Sequence, residues 1–148
     1  MRVVIDTNQL LRMAAAGEQS PLFQAWRQRA FYLVISPQLL AEFEEVMARP
    51  KTQRFLHLGR AKRFLDLVRE RAIFVTPAPN APTCRDPKDN IVIATAIASG
   101  ASFIVTSDRD LLDDETLRVA LAAYNLRVVY PPEFLKQLNR QDNRQNDY

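Results

Sequence analysis

Two aspartates each close a short β-branched or apolar run: Asp6 follows Val3-Val4-Ile5, and Asp108 comes just after Phe103–Thr106. An acid at the carboxyl end of a parallel strand sits on the edge where α/β sheets bind ligands. The same placement also suits a helix N-cap, so neither residue decides the matter alone. Glu42 is more telling, because it lies three residues after Leu39 and four before Val46 and so shares the inward face of its helix. An inward carboxylate needs a partner. Asp89 lies four before Ile93, on a face running through Ile93, Ala96 and Ile97, although a first-turn acid favoured by the helix dipole fits it too. Asp86 reads as the cap of that helix, and Asp110 as a solvated or outlying acid. Four unpaired carboxylates in one cleft raise one another's pKa, and divalent cations remove the cost. Mg²⁺ and Mn²⁺ prefer oxygen ligands and keep waters in their remaining positions. Two such ions roughly 3.5–4 Å apart activate a water and stabilise the leaving oxygen of a phosphodiester.

The elements that must carry these acids alternate along the chain. Arg2 to Ile5 predicts a strand, Leu10 to Ala16 a helix ending near Gly17, Ser20-Pro21 the start of a second helix running to Arg29, and Phe31 to Ile35 a buried strand. Ser36-Pro37 is an N-cap with Pro in the first turn of a helix that stops before Pro50. Helices over Lys51–His57 and Arg60–Arg71, a strand at Ile73–Val75 and a Pro-rich loop at Thr76–Thr83 follow. Asp86-Pro87 opens a helix to Ser99 that Gly100 ends. A strand at Phe103–Thr106, a helical turn after Asp108, a helix at Glu115–Tyr124, a strand at Leu126–Val129 and a short helix from Pro131-Pro132 complete the pattern. Parallel strands need crossovers and helices supply them, so the expected fold is α/β: a three-layer α/β/α sandwich around a central, mainly parallel sheet. Residues 1–138 read as one domain and 139–148 as a polar tail that frays.

Composition narrows the function classes. With 148 residues, 47% of them apolar, the chain can bury a core without disulfides, and its single cysteine, Cys84, excludes an internal one. Met1-Arg2 is followed by only three apolar residues before Asp6, too few for an export signal, and the charge-free run through Ile91–Thr106 is broken by Gly100, Ser and Thr. A cytoplasmic chain with no membrane partner is expected. Net charge is +3, yet Arg49 to Arg71 holds eight basic residues against Asp66 and Glu70. That segment is either a solvated helical face or a contact for polyanions.

Four fragments in order resemble the PIN domain, most closely the VapC-like toxins of toxin–antitoxin systems. They are Val3-Val4-Ile5-Asp6-Thr7-Asn8, Ser36-Pro37-Gln38-Leu39-Leu40-Ala41-Glu42-Phe43, Arg85-Asp86-Pro87-Lys88-Asp89-Asn90 with Ala94 and Ala96, and Ile104-Val105-Thr106-Ser107-Asp108-Arg109-Asp110-Leu111-Leu112. The resemblance implies a Mg²⁺- or Mn²⁺-dependent ribonuclease, with one or two ions, acting on single-stranded RNA or a tRNA. It makes Asp6, Glu42, Asp89 and Asp108 the catalytic and metal-holding acids, with Asp110 and Asp86 in support and Asn8 and Thr106 orienting ligands or waters. It also implies a small antitoxin bound between the early helices, and homodimerisation, for which Trp26 and nearby Leu and Phe are candidates if they are not core. The stretch from Arg49 to Arg71 follows no motif of the family; if it faces RNA, Arg49, Lys51, Arg54, Arg60, Lys62 and Arg63 are the expected contacts, while His57 reads as structural or surface.

Other readings rank lower. A non-catalytic RNA-binding or assembly module on the same fold leaves the complete acid set unexplained. A metal-dependent phosphatase of another α/β fold expects an Asp-x-Asp start, which Asp6-Thr7-Asn8 does not meet, and a flap-type DNA nuclease needs helical elements for which this length has no room.

Overall fold

Val3, Val4 and Ile5 are β-branched and wholly buried, as befits a strand covered on both faces, and they make β1 (Arg2–Ile5) the centre of the sheet. In the computed structural model, which describes residues 1–146, four further strands flank it: β2 (Tyr32–Ile35), β3 (Ile73–Phe74), β4 (Phe103–Val105) and β5 (Arg127–Val129). All pairings are parallel and the order is β3-β2-β1-β4-β5. The chain therefore winds outward from β1 through β2 to β3, then crosses over and winds the other way through β4 to β5. Right-handed crossovers put the helices of the two halves on opposite faces.

The first half carries α1 (Thr7–Ala16), α2 (Pro21–Arg27), α3 (Pro37–Ala48), α4 (Pro50–Gln53) and α5 (Leu58–Arg71). The second carries α6 (Asn90–Ser99), α7 (Arg109–Leu112), α8 (Glu115–Ala122) and α9 (Pro131–Asn146). Starts are set by side-chain caps: Ser20 accepts from the Phe23 N–H, Ser36 from that of Leu39, and Asp114 from that of Leu117. Gly100, at a φ of 67°, takes the left-handed turn that ends α6. Two aromatic clusters fill the layers. Phe23, Trp26, Phe43 and Phe64 pack between the first-half helices, with ring centroids 5.7–6.1 Å apart, so Trp26 is core and offers no surface for dimerisation. Phe134 of α9 meets Phe31 at 5.3 Å and Phe103 at 5.5 Å and is fully buried.

Three local expectations change. The segment expected as a helix over Lys51–His57 stops at Gln53, because Leu56 is drawn into the core and the exposed His57 caps α5 through Nδ1, which accepts from the Gly59 N–H. His57 is thus structural. The helix expected from Asp86 begins as a tight 3₁₀ turn over Pro87–Asp89, which puts Asp89 at the N-cap of α6 instead of on its side. The last helix is long, not short. Once Phe134 and Leu138 anchor its first two turns, adding residues costs little, and nothing from Asn139 to Asn146 is Gly or Pro. The final two positions of the expected polar tail lie outside the described residues.

Candidate active site at the switch point of the sheet

The strand order reverses between β1 and β4, and open parallel sheets take ligands beyond the carboxyl ends of the strands at such a switch point. Register pairs Ile5 with Val105, so the next residues, Asp6 and Thr106, leave the sheet at one height. The Asp6 N–H donates to the Val105 carbonyl at 3.1 Å, and that of Thr106 to the Val129 carbonyl at 3.0 Å. Asp6 is buried and fully engaged. Its Oδ1 accepts from the Gln9 N–H at 2.9 Å, capping α1, and its Oδ2 accepts from the Thr106 hydroxyl. Thr106 Oγ1 in turn accepts from the Asp108 N–H at 2.9 Å, so one buried hydroxyl ties the two strand-end acids together. Asp108 Oδ1 caps α7 by accepting from the Asp110 N–H at 2.9 Å. Capping still leaves acceptor capacity for a ligand, because each carboxylate oxygen carries two lone pairs.

Asp89 differs from both. It stands at the N-cap of α6 without capping it, and its Oδ2 is shut off from water with no hydrogen-bond partner among the described residues. Its carboxyl is pushed up from the ordinary 3.8 to about 7, first by burial, then by the Asp108 carboxyl within hydrogen-bonding reach, and further by the charges of Asp108, Asp86 and Asp6. Asp6 is also raised, mainly by burial, against the lowering effect of its bonds from Thr106 and Gln9, with Asp108 and Glu42 adding like charge. Glu42, half-buried on the second turn of α3, therefore shares the field of Asp6. Asp6, Glu42, Asp89 and Asp108 thus form one electrostatic neighbourhood. They do not form a finished cage, since no three His, Cys, Asp or Glu among the described residues close on a single point as a metal-holding group.

The donor set fits a hard divalent cation. All four are oxygen donors, and one buried carboxylate oxygen lacks any compensating donor. The remaining expected residues fall at the margin. Asp86 caps the 3₁₀ turn through the Lys88 N–H and adds charge to Asp89. Asp110 faces Arg85 at 3.6 Å. Asn8 is exposed on the first turn of α1, with no side-chain bond among the described residues. Arg49 pairs with Glu45, and Arg60 donates to the Ala15 carbonyl at the far end of α1, about 13 Å along that helix from Asp6. Arg69 and Arg71 are used inside the fold, on Glu44 and on the carbonyls of Trp26 and Arg27.

Several supports escaped the sequence reading. Buried Gln9 donates from Nε2 to Ser107 Oγ at 2.8 Å, linking α1 to the loop that carries Asp108. Buried Ser36 and Thr95 meet at 2.9 Å and join α3, which bears Glu42, to α6, which starts at Asp89. Arg85 donates to the Arg109 carbonyl beside Asp110 and is the cation nearest that acid. A polar residue on an otherwise buried helix face, such as Gln9, was the available signal. The partners themselves are 98 and 59 residues away in sequence.

Comparison with known families finds a model described as PIN domain matching residues 2–110. Comparison with curated proteins finds no match. Among solved structures, the crystal structure of VapBC2 from Rickettsia felis bound to a DNA fragment from their promoter is similar with a TM-score of 0.48 and 16% identity, over 88% of this chain and 98% of that one.

Proposed function

The chain belongs to the PIN domain family, and from that premise we propose that it is a Mg²⁺- or Mn²⁺-dependent endoribonuclease that hydrolyses single-stranded RNA or a tRNA in the cytoplasm, as the toxin of a toxin–antitoxin pair. The observation that carries the reading is the buried, partnerless oxygen of Asp89 among Asp6, Glu42 and Asp108 at the switch point of the sheet. Those four acids would hold one or two ions, with Asp110 and Asp86 in support and Asn8 beside them. A divalent cation bound there supplies a water acidic enough to attack phosphorus near neutral pH and charge to stabilise the departing oxygen.

The chain's own residues do the rest. Thr106 holds Asp6 and Asp108 at fixed separation, and Gln9 and Ser107 brace the loop behind Asp108. Asp89, with a carboxyl near 7 while no cation neutralises its neighbours, would be held deprotonated by a cation bound among the four acids. Arg49, Lys51, Arg54, Arg60, Lys62 and Arg63 offer positive charge to the phosphate backbone. The antitoxin assignment rests on the four motif fragments and their order, and a homodimer would use a surface other than Trp26. A non-catalytic RNA-binding module is the competing reading, favoured by the basic segment, which needs no acids to work.

One experiment separates them: incubation with mixed-sequence single-stranded RNA and matched DNA in Mg²⁺, Mn²⁺ or EDTA, beside Asp6→Asn. Asparagine keeps the α1 cap but not the charge. RNA-selective, metal-dependent cleavage that falls at least about 100-fold in a folded Asp6→Asn is expected. Binding without cleavage under every condition would favour the module.

A further inference from the structure

Phe55, in the turn between α4 and α5, is 59% exposed, and Leu58, the first residue of α5, is 77% exposed. Exposed aromatics are unremarkable singly. Here the surroundings are unusual, since no acidic residue occurs between Glu45 and Asp66, while Lys51, Arg54, Arg60, Lys62 and Arg63 all do. Lys51, Arg54, Lys62 and Arg63 are exposed and enter no ion pair among the described residues. Beside them, Arg60 and Arg63 line a cleft of about 450 Å³ floored by Met13, Phe23 and Phe64, whose one acid, Glu18, is paired with Arg27 at 3.0 Å.

We propose that the α4–α5 turn is a capture platform for single-stranded RNA, on which a base stacks against Phe55 while Lys51, Arg54 and Lys62 neutralise the neighbouring phosphates. Charge complementarity names the occupant: an exposed aromatic flanked in sequence by Lys51 and Arg54 before it and Lys62 and Arg63 after it, all four without an ion pair among the described residues, matches a strand that offers both anionic groups and flat apolar bases. The platform is set apart from the acids. α3 rises about 9 Å from Glu42 to Ala48 before α4 begins, an interval of a few nucleotides at a stacked spacing of roughly 3.4 Å. It therefore holds substrate at a distance and governs affinity more than turnover. The proposal rests on the ribonuclease reading above.

The test is fluorescence anisotropy of a fluorescein-labelled mixed-sequence RNA of about ten nucleotides, in EDTA so that the strand stays intact, with a poly-glutamate peptide as a second probe. Phe55→Ala should raise the RNA dissociation constant about 5- to 100-fold, Phe55→Trp should restore it, and Tyr124→Ala, an exposed aromatic on α8's side of the sheet, should leave it unchanged. Lys51→Ala with Arg54→Ala should reduce the log–log salt slope by about 1.4. Thermal melts of each variant should match the parent, since the substituted side chains are exposed. Equal RNA affinity for Phe55→Ala and the parent overturns the platform while leaving the nuclease intact. Loss of poly-glutamate binding with RNA binding unaffected also overturns it, in favour of a protein dock. Failure of the parent protein itself to bind or cut RNA removes the substrate reading, and the platform with it.

Discussion

A carboxyl that titrates near 7 in the folded chain and at 3.8 in the unfolded one takes up a proton on folding throughout the interval between, so Asp89 costs stability as pH rises. The penalty is absent below about 4, grows between about 4 and 7, and is complete above. Metal-free melts should therefore fall across that range, Asp89→Asn should flatten the fall, and millimolar Mg²⁺ or Mn²⁺ should raise the melting temperature most at the alkaline end; a pH-independent melt in EDTA would contradict this. Thr106 acts on the same acids by geometry. Thr106→Val removes the hydroxyl shared by Asp6 and Asp108 and should cost cleavage about 10- to 100-fold in steady-state assays while the fold persists. At this scale residue types were legible in the sequence, but partners were not. Asp6 and Thr106 stand 100 positions apart, and nothing in either local pattern names the other.

Elements were legible where a cap and a periodic face agreed, as at Ser36-Pro37 with Leu39, Phe43 and Met47 behind it, all buried. They were misread where a tertiary contact overrode local preference. Leu56 turns into the core and breaks the expected helix, and Phe134 anchors a last helix far longer than its polar composition suggested. Phe134 joins α9 to Phe31 and Phe103, so Phe134→Ala should destabilise by about 3–5 kcal/mol in urea or guanidinium titrations, with both a transfer and a cavity contribution. The exposed Tyr130 one turn earlier should tolerate alanine within about 0.5 kcal/mol.

For the molecule as a whole, the described part of α9 beyond Leu138 lies outside the core: Asn139 to Arg144 are all exposed. Truncation after Leu138 should shift the melting temperature by less than about 3 °C, measured by calorimetry, and leave any cleavage unchanged. No helix among the described residues is long and apolar enough to cross a membrane. The sequence by itself determined the alternation of strands and helices, the parallel α/β/α class and the acids at strand ends, because each is written in local spacing of apolar residues, caps and breakers. Only the tertiary structure decided that β1 and β4 are neighbours and that, among the described residues, Asp89 is left with a buried unpartnered oxygen at a helix start and Arg69 and Arg71 serve the fold while Lys51, Arg54, Lys62 and Arg63 enter no ion pair. Those outcomes depend on strand order and on contacts between segments tens of residues apart, and burial, charge and proton affinity follow from what each side chain meets there.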